Sequence, residues 1–287
     1  MSNTIIKRQN SDTNIARLAA QRQIYRDEGN IETVNAVLSV IMPLGFAVIQ
    51  EIMTEWTWAQ TSSCCLSIAM LVVSAVLSSA CKNQKELAAS IQQEFDVDVY
   101  QMPWDDKLFG ARKNLNDEIA GASKKILEND HEKELLYDWY TTAVELLPQN
   151  KAIAECQKEN FNWDAGLRKR YKFFNIVLLS LLIIASFTVC LVKGQTVEVL
   201  LLKLFMVLPA LKWTVNNITE LNEDLKRMEP IERAVYSRKD KSMDQLQFIQ
   251  KDIYVNRKAA VKIPDWFYNR FKNNDEDRER RAIELGE

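Results

Sequence analysis

Three stretches of this chain, residues 34–50, 56–81 and 173–192, contain no charged side chain. A helix needs about 20 mostly apolar residues to cross a hydrocarbon core of ~30 Å. The second and third stretches meet that length, and the first reaches it if Ile52 and Met53 extend it past Glu51. A fourth run, 197–215, holds Glu198, Lys203 and Lys212 between "VLLL" and "LFMVLPAL". Only Lys193-Gly194-Gln195-Thr196 separates it from the run before it, so it can return only as an antiparallel partner. The pattern predicts four spans in two hairpins, at 34–53, 61–81, 173–192 and 197–215. The spans divide the chain into an N-terminal arm (1–33), hairpin one (34–81), a middle segment (82–172), hairpin two (173–215) and a C-terminal tail (216–287).

Lys and Arg set the orientation of membrane helices by accumulating on the cytoplasmic side. Here they fall in the arm (Lys7, Arg8, Arg17, Arg22, Arg26), the middle segment (Lys82, Lys85, Arg168, Lys169, Arg170, Lys172) and the tail (Lys226, Arg227). The loop around Trp56 and Trp58 has none, which suits an outer interfacial belt. Both termini and the middle segment are therefore expected in the cytoplasm. The first 33 residues are too polar for a cleaved signal. Five cysteines, an odd number with no C-x-x-C spacing, argue against a disulfide framework. A formal net charge of −2 gives no DNA- or RNA-binding signature.

Outside the spans the periodicity is helical, and the predicted fold class is all-α. The arm carries "IARLAAQRQIYRDEGN", and "KNQKELAASIQQEF" continues span two. Pro103 and Gly110 break the pattern within "DVDVYQMPWDDKLFG". "NLNDEIAGASKKILEND" and "EKELLYDWYTTAVELL" both have apolar residues at three- and four-residue spacing, as amphipathic helices do. A helix from about Lys151 feeds span three, and the tail adds "ITELNEDLKRM" and "SMDQLQFIQKDIYVNRKAA". No internal repeat of fixed period is visible.

The usual signatures of catalysis are absent. His131 is the one histidine, and "HEKEL" lacks the second His of a zinc-protease motif. There is no Walker loop, no G-x-G-x-x-G and no G-x-S-x-G. No catalytic residue, metal or cofactor is expected. Instead, Gln157, Asn160, Asp164, Arg168 and Tyr171 share one helical face just before span three. Amides, a carboxylate, a guanidinium and a phenol together suit a nucleotide, with Arg for phosphate and aromatics for bases. Tyr100 and Trp104 could join them if the irregular stretch folds onto that helix. The same residues also permit a plainer reading. Asp164 and Arg168 make an i,i+4 pair common on exposed helices, Trp163 could belong to the core, and the positive-inside rule explains the basic run 168–172. In span four, Lys203, Val207 and Ala210 lie on one side, either lining a pore or, for Lys203, reaching outward to headgroups.

Several segments resemble the SMODS-associating four-transmembrane family: "QNSDTNIARLAAQRQIY", "FDVDVYQMPWDDKLFG", "LYDWYTTAVELLP", "CQKENFNWDAGLRKRY" and "IPDWFYNRF". They occur in the same order and at matching places relative to the spans, and the sequence departs from the pattern at Lys158-Glu159. The resemblance implies a pore-forming effector of bacterial anti-phage signalling in the inner membrane. A cognate nucleotidyltransferase would supply a cyclic di- or oligonucleotide as activating ligand, and the effector would act as a homo-oligomer in the lipid bilayer. Two other readings fit the residues: a constitutive channel or transporter, and a non-conducting scaffold that recruits a protein. A transporter is expected to show internal repeats or several deep charges, and this sequence has one deep lysine and no repeat.

Overall fold

The computed structural model describes residues 3–52, 57–237, 240–268 and 270–271. Trp56 and the side chain of Trp58 lie outside the described residues, as does the charged end from 272 onward. Every regular element among them is helical. In chain order they are α1 (Ile5–Gln9), α2 (Asp12–Ala36), a π turn (Val37–Ile41), α3 (Met42–Ile52), α4 (Thr57–Tyr100), α5 (Asp106–Phe109), α6 (Asn116–Leu127), α7 (Asp130–Glu134), a 3₁₀ turn (Thr142–Leu146), α8 (Gln149–Val192), α9 (Val197–Val235) and α10 (Met243–Ala259).

Three helical runs, Asp12–Ile49, Cys65–Tyr100 and Gln149–Val192, are long and apolar enough to cross a membrane. α9 follows α8 after a turn in which Gly194 takes φ 57°, a left-handed conformation that favours glycine. α8 and α9 then pack together along their length. Each long helix joins an apolar run to a polar extension without a break. α2 leads into the first run, α4 leaves the second, and α8 enters the third. Backbone hydrogen bonds within a helix need no water, which allows one helix to continue from an aqueous domain into lipid.

The apolar halves are knitted by short polar contacts. Asn35 donates to Ser78 at 3.4 Å, the Ser67 hydroxyl donates to the Met206 carbonyl at 2.9 Å, and Trp213 donates to Glu32 at 3.3 Å. Such bonds fix helix–helix register where apolar burial gives no direction. Val40, Leu182 and Ala210 form a small core among these halves.

The largest core lies in the polar half. Phe95, Tyr100, Leu136, Tyr140, Ile153 and Leu246 join the ends of α4, α8 and α10 to the N-terminal arm. The Ser242 hydroxyl begins α10 with a capping box closed by Gln245. Two expectations are corrected here. α4 runs through "DVDVY" and stops only at Gln101, whose φ of 55° ends the helix. The stretch 132–147, expected as one amphipathic helix, is a short helix, a turn and a 3₁₀ segment. Gln9 explains that break: its side chain accepts from the Tyr140 N–H at 2.9 Å and donates to the Tyr140 carbonyl at 3.1 Å. Leu136, Tyr140 and Val144 still reach the core, so the periodic apolar residues are buried without a helix.

Candidate ligand cavity

A cavity of about 560 Å³ opens where the polar extensions of the long helices meet. That lies within the ~300–1,000 Å³ typical of small-ligand sites. α2 supplies Gln21, Arg22, Tyr25, Arg26 and Glu28, and α4 supplies Lys85 and Gln92. α8 supplies Asn160, Phe161, Trp163, Asp164, Leu167 and Arg168, α9 supplies Met228 and Ile231, and α10 supplies Ile253, Asn256 and Arg257. The segment 260–268 and the turn residues Leu135 and Trp139 close the rest. The cavity thus touches all the extensions that continue from or into the apolar runs.

Its chemistry is mixed. Six cationic side chains border it (Arg22, Arg26, Lys85, Arg168, Arg257, Lys262) with three carboxylates in the wall (Glu28, Asp164, Asp265). The cations are positioned by carboxylates, several of them behind the lining. Arg26 meets Glu132 at 2.6 Å with Arg22 at 3.9 Å from the same oxygen, and Arg257 meets Asp96 at 2.5 Å. Arg26 and Arg22 hold the Glu132 carboxyl below its ordinary range, chiefly through the Arg26 hydrogen bond. Lys262 lies 3.3 Å from Asp265 and over the Tyr25 ring at 5.6 Å. Aromatic walls come from Tyr25, Trp139, Phe161, Trp163 and Tyr268, with the Trp163 and Tyr268 rings 5.5 Å apart.

Acceptor atoms are left over. Gln21 Oε1, Glu28 Oε2 and Asn256 Oδ1 are buried without a hydrogen-bond partner. Buried polar atoms are nearly always paired, so these three acceptors mark strain in the packing beside the cavity. Burial pushes the Glu28 carboxyl up to about 7, against the pull of Lys85 at 3.8 Å and of Lys262.

The predicted helical face divides. Asn160, Asp164 and Arg168 line the cavity. Gln157 is wholly buried beyond it, donating to the Leu246 carbonyl at 2.9 Å and to Gln250 at 3.1 Å. Tyr171 is buried among Leu221, Val261, Ile263 and Phe267. Asn160 donates to the Tyr140 hydroxyl at 2.9 Å. Arg168 is 6% exposed and bridges three segments: Asp164 on its own helix at 2.9 Å, Asp224 on α9 at 2.5 Å and the Val261 carbonyl at 3.0 Å. Burial works against its charge, but the Asp164 and Asp224 carboxylates outweigh it and raise its pKa. Tyr100 sits in the main core with its ring 5.5 Å from that of Tyr140. Trp104 donates to the Gly110 carbonyl at 2.9 Å and stacks near Phe109 and Arg112, and neither Tyr100 nor Trp104 is part of the cavity wall. In α9, Val207 and Ala210 are buried within the chain's own helices, and Lys203 donates to Gln195 at 2.7 Å.

Sequence reasoning missed Arg22, Arg26, Lys85, Trp139, Arg257 and Lys262. They are scattered over the chain, and only the positive-inside excess hinted at some of them. Among the described residues, no group of three His, Cys, Asp or Glu side chains could hold a metal ion.

The family model of the SMODS-associating 4TM effector domain matches residues 3–285. A relative from Bacillus cereus (strain VD146), described as a probable CBASS effector molecule, is 22% identical over 96% of this chain and 95% of its own length. No solved structure matches.

Proposed function

Since the chain belongs to the SMODS-associating 4TM effector family, we propose that it is a membrane effector of anti-phage defence, switched by a cyclic oligonucleotide seated in the cavity. One observation carries the reading: the cavity wall is built from α2, α4, α8 and α9, the helices that run on into the apolar segments. A guest there contacts the levers of both hairpins at once. It changes the packing of the spans to the extent that it binds one arrangement better than the other. In this reading α9 crosses the membrane beside α8, giving four spans with both termini in the cytoplasm. The resting bundle rearranges or assembles with further copies, and the inner membrane loses its barrier.

The chemistry of the wall matches that class of ligand. Arg22, Arg26 and Lys262 suit phosphates, and Trp163, Tyr268 and Trp139 suit bases. Arg168 and Asn160 belong to the wall, with Arg168 also joining α8 to α9. Tyr100 and Trp104 have no part in the proposed site.

The test is equilibrium binding of a panel of synthetic cyclic di- and trinucleotides to detergent-purified protein. At least one should bind wild type, and Arg26→Ala should weaken it by about one to two orders of magnitude, the ~1.5–3 kcal/mol of a hydrogen bond to a charged group. Asn160→Trp, which sets a bulky ring in the cavity wall, should weaken it at least as much. Binding unchanged in both variants would move the site elsewhere.

A further inference from the structure

The segment 264–268 returns to the start of span three. There the Trp266 ring lies 5.6 Å from that of Phe174, and Phe267 lies 5.7 Å from Phe174 and 5.0 Å from Tyr171. Phe174 is one residue inside the uncharged run that begins at 173, and helical side chains lean toward the N-terminus. Its ring therefore marks the level where hydrocarbon gives way to headgroups. At this level Trp266 is 57% exposed and Phe173 is 68% exposed. The other face of the same helical turn is occupied, because Ile263, Asp265 and Tyr268 form cavity wall. Lys169 and Arg270 are exposed nearby, and Arg170 lies over the Phe271 ring at 4.9 Å. An exposed indole, two phenylalanines and basic side chains at one level are the composition of an interfacial anchor.

We infer that 264–268 docks on the cytoplasmic bilayer surface, with Trp266 inserted at the boundary between headgroups and acyl chains. The occupant of this apolar face is lipid, because the face is continuous with the lipid-facing start of span three. One short segment then serves as both cavity wall and membrane anchor, and this docking does not depend on what the cavity binds.

The test uses the full chain reconstituted in phosphatidylcholine vesicles, with and without bromine near the glycerol end of the acyl chains. The Trp266 contribution is the emission of wild type minus that of Trp266→Phe. It should fall by about half or more in brominated vesicles, as expected for insertion of 5–10 Å. Emission remaining in Trp266→Phe, which includes Trp213, should also be quenched in part, showing that the protein is inserted. If Trp266→Phe fails to fold, Trp266→Tyr supplies the same difference. A difference signal of equal size in both kinds of vesicle, with the remaining emission still quenched, would overturn the inference.

Discussion

Arg168→Ala separates a structural staple from a simple ligand contact. The guanidinium joins α8, just before span three, to Asp224 on α9 and to the Val261 carbonyl, and Asp224 is wholly buried. Removing one partner of a buried ion pair costs about 3–5 kcal/mol, because the other charge is left in low dielectric. Asp224 keeps Arg227 and accepts the Val261 N–H at 2.9 Å, which places the loss near the lower end, about 3 kcal/mol. At roughly 2–4 °C per kcal/mol, the thermal midpoint of detergent-purified protein should drop by about 6–12 °C. Asp224→Leu alone should also destabilise, leaving Arg168 with Asp164. The double variant Arg168→Met/Asp224→Leu should lose about 1–3 kcal/mol less than the sum of the two, since replacing both charges removes the stranded one. Additive losses, or a shift under about 2 °C for Arg168→Ala, would refute the staple.

The pH dependence of stability should report Glu28. Its carboxyl is raised to about 7 in the folded protein from 4.5, so the folded state binds more protons between those values. Stability from this group is therefore greatest below 4.5, falls as pH rises through 7, and is flat above. In a His131→Ala background, Glu28→Gln should reduce the drop in thermal midpoint between pH 5 and pH 8, a window set by that pKa, to which the raised carboxyls of Glu32, Glu220 and Asp224 also contribute; an unchanged slope would contradict the assignment. His131→Ala by itself should leave toxicity in cells intact, and a silent variant at normal expression would reopen the case for catalysis. Lys203→Leu should spare nucleotide binding and alter single-channel conductance if the lysine faces the conducting path; unchanged conductance would place it on the lipid side. A reporter cysteine at Asp130 should resist membrane-impermeant labelling of intact cells, and rapid labelling there would reverse the topology.

The apolar character of three helical runs was legible because the exclusion of charge over some 20 residues has few other causes. α8 was readable as one element for the same reason: polar and apolar periodicities run together without a break from Gln149 to Val192. The stretch 132–147 misled because spacing at i, i+4 and i+8 records burial, and Leu136, Tyr140 and Val144 are buried by turns held through Gln9. The helical face from Gln157 to Tyr171 was drawn correctly as a face, yet only its middle borders the cavity. Its ends meet Gln250 and Phe267, residues distant in sequence whose arrival no local pattern announces. The cavity itself was invisible for that reason. Arg26, Lys85, Arg257 and Lys262 come from four separate segments, and each reads locally as an ordinary surface residue.

The central claim is that occupancy of this cavity opens the membrane. Its most direct measurement is dye release from liposomes holding the full chain, on addition of the cyclic oligonucleotide that binds best. Wild type should release dye only with nucleotide present, at concentrations that track its affinity. Asn160→Trp, inserted to the same extent, should need at least tenfold more nucleotide for the same release. Release without nucleotide, or equal release from wild type and Asn160→Trp, would contradict the account.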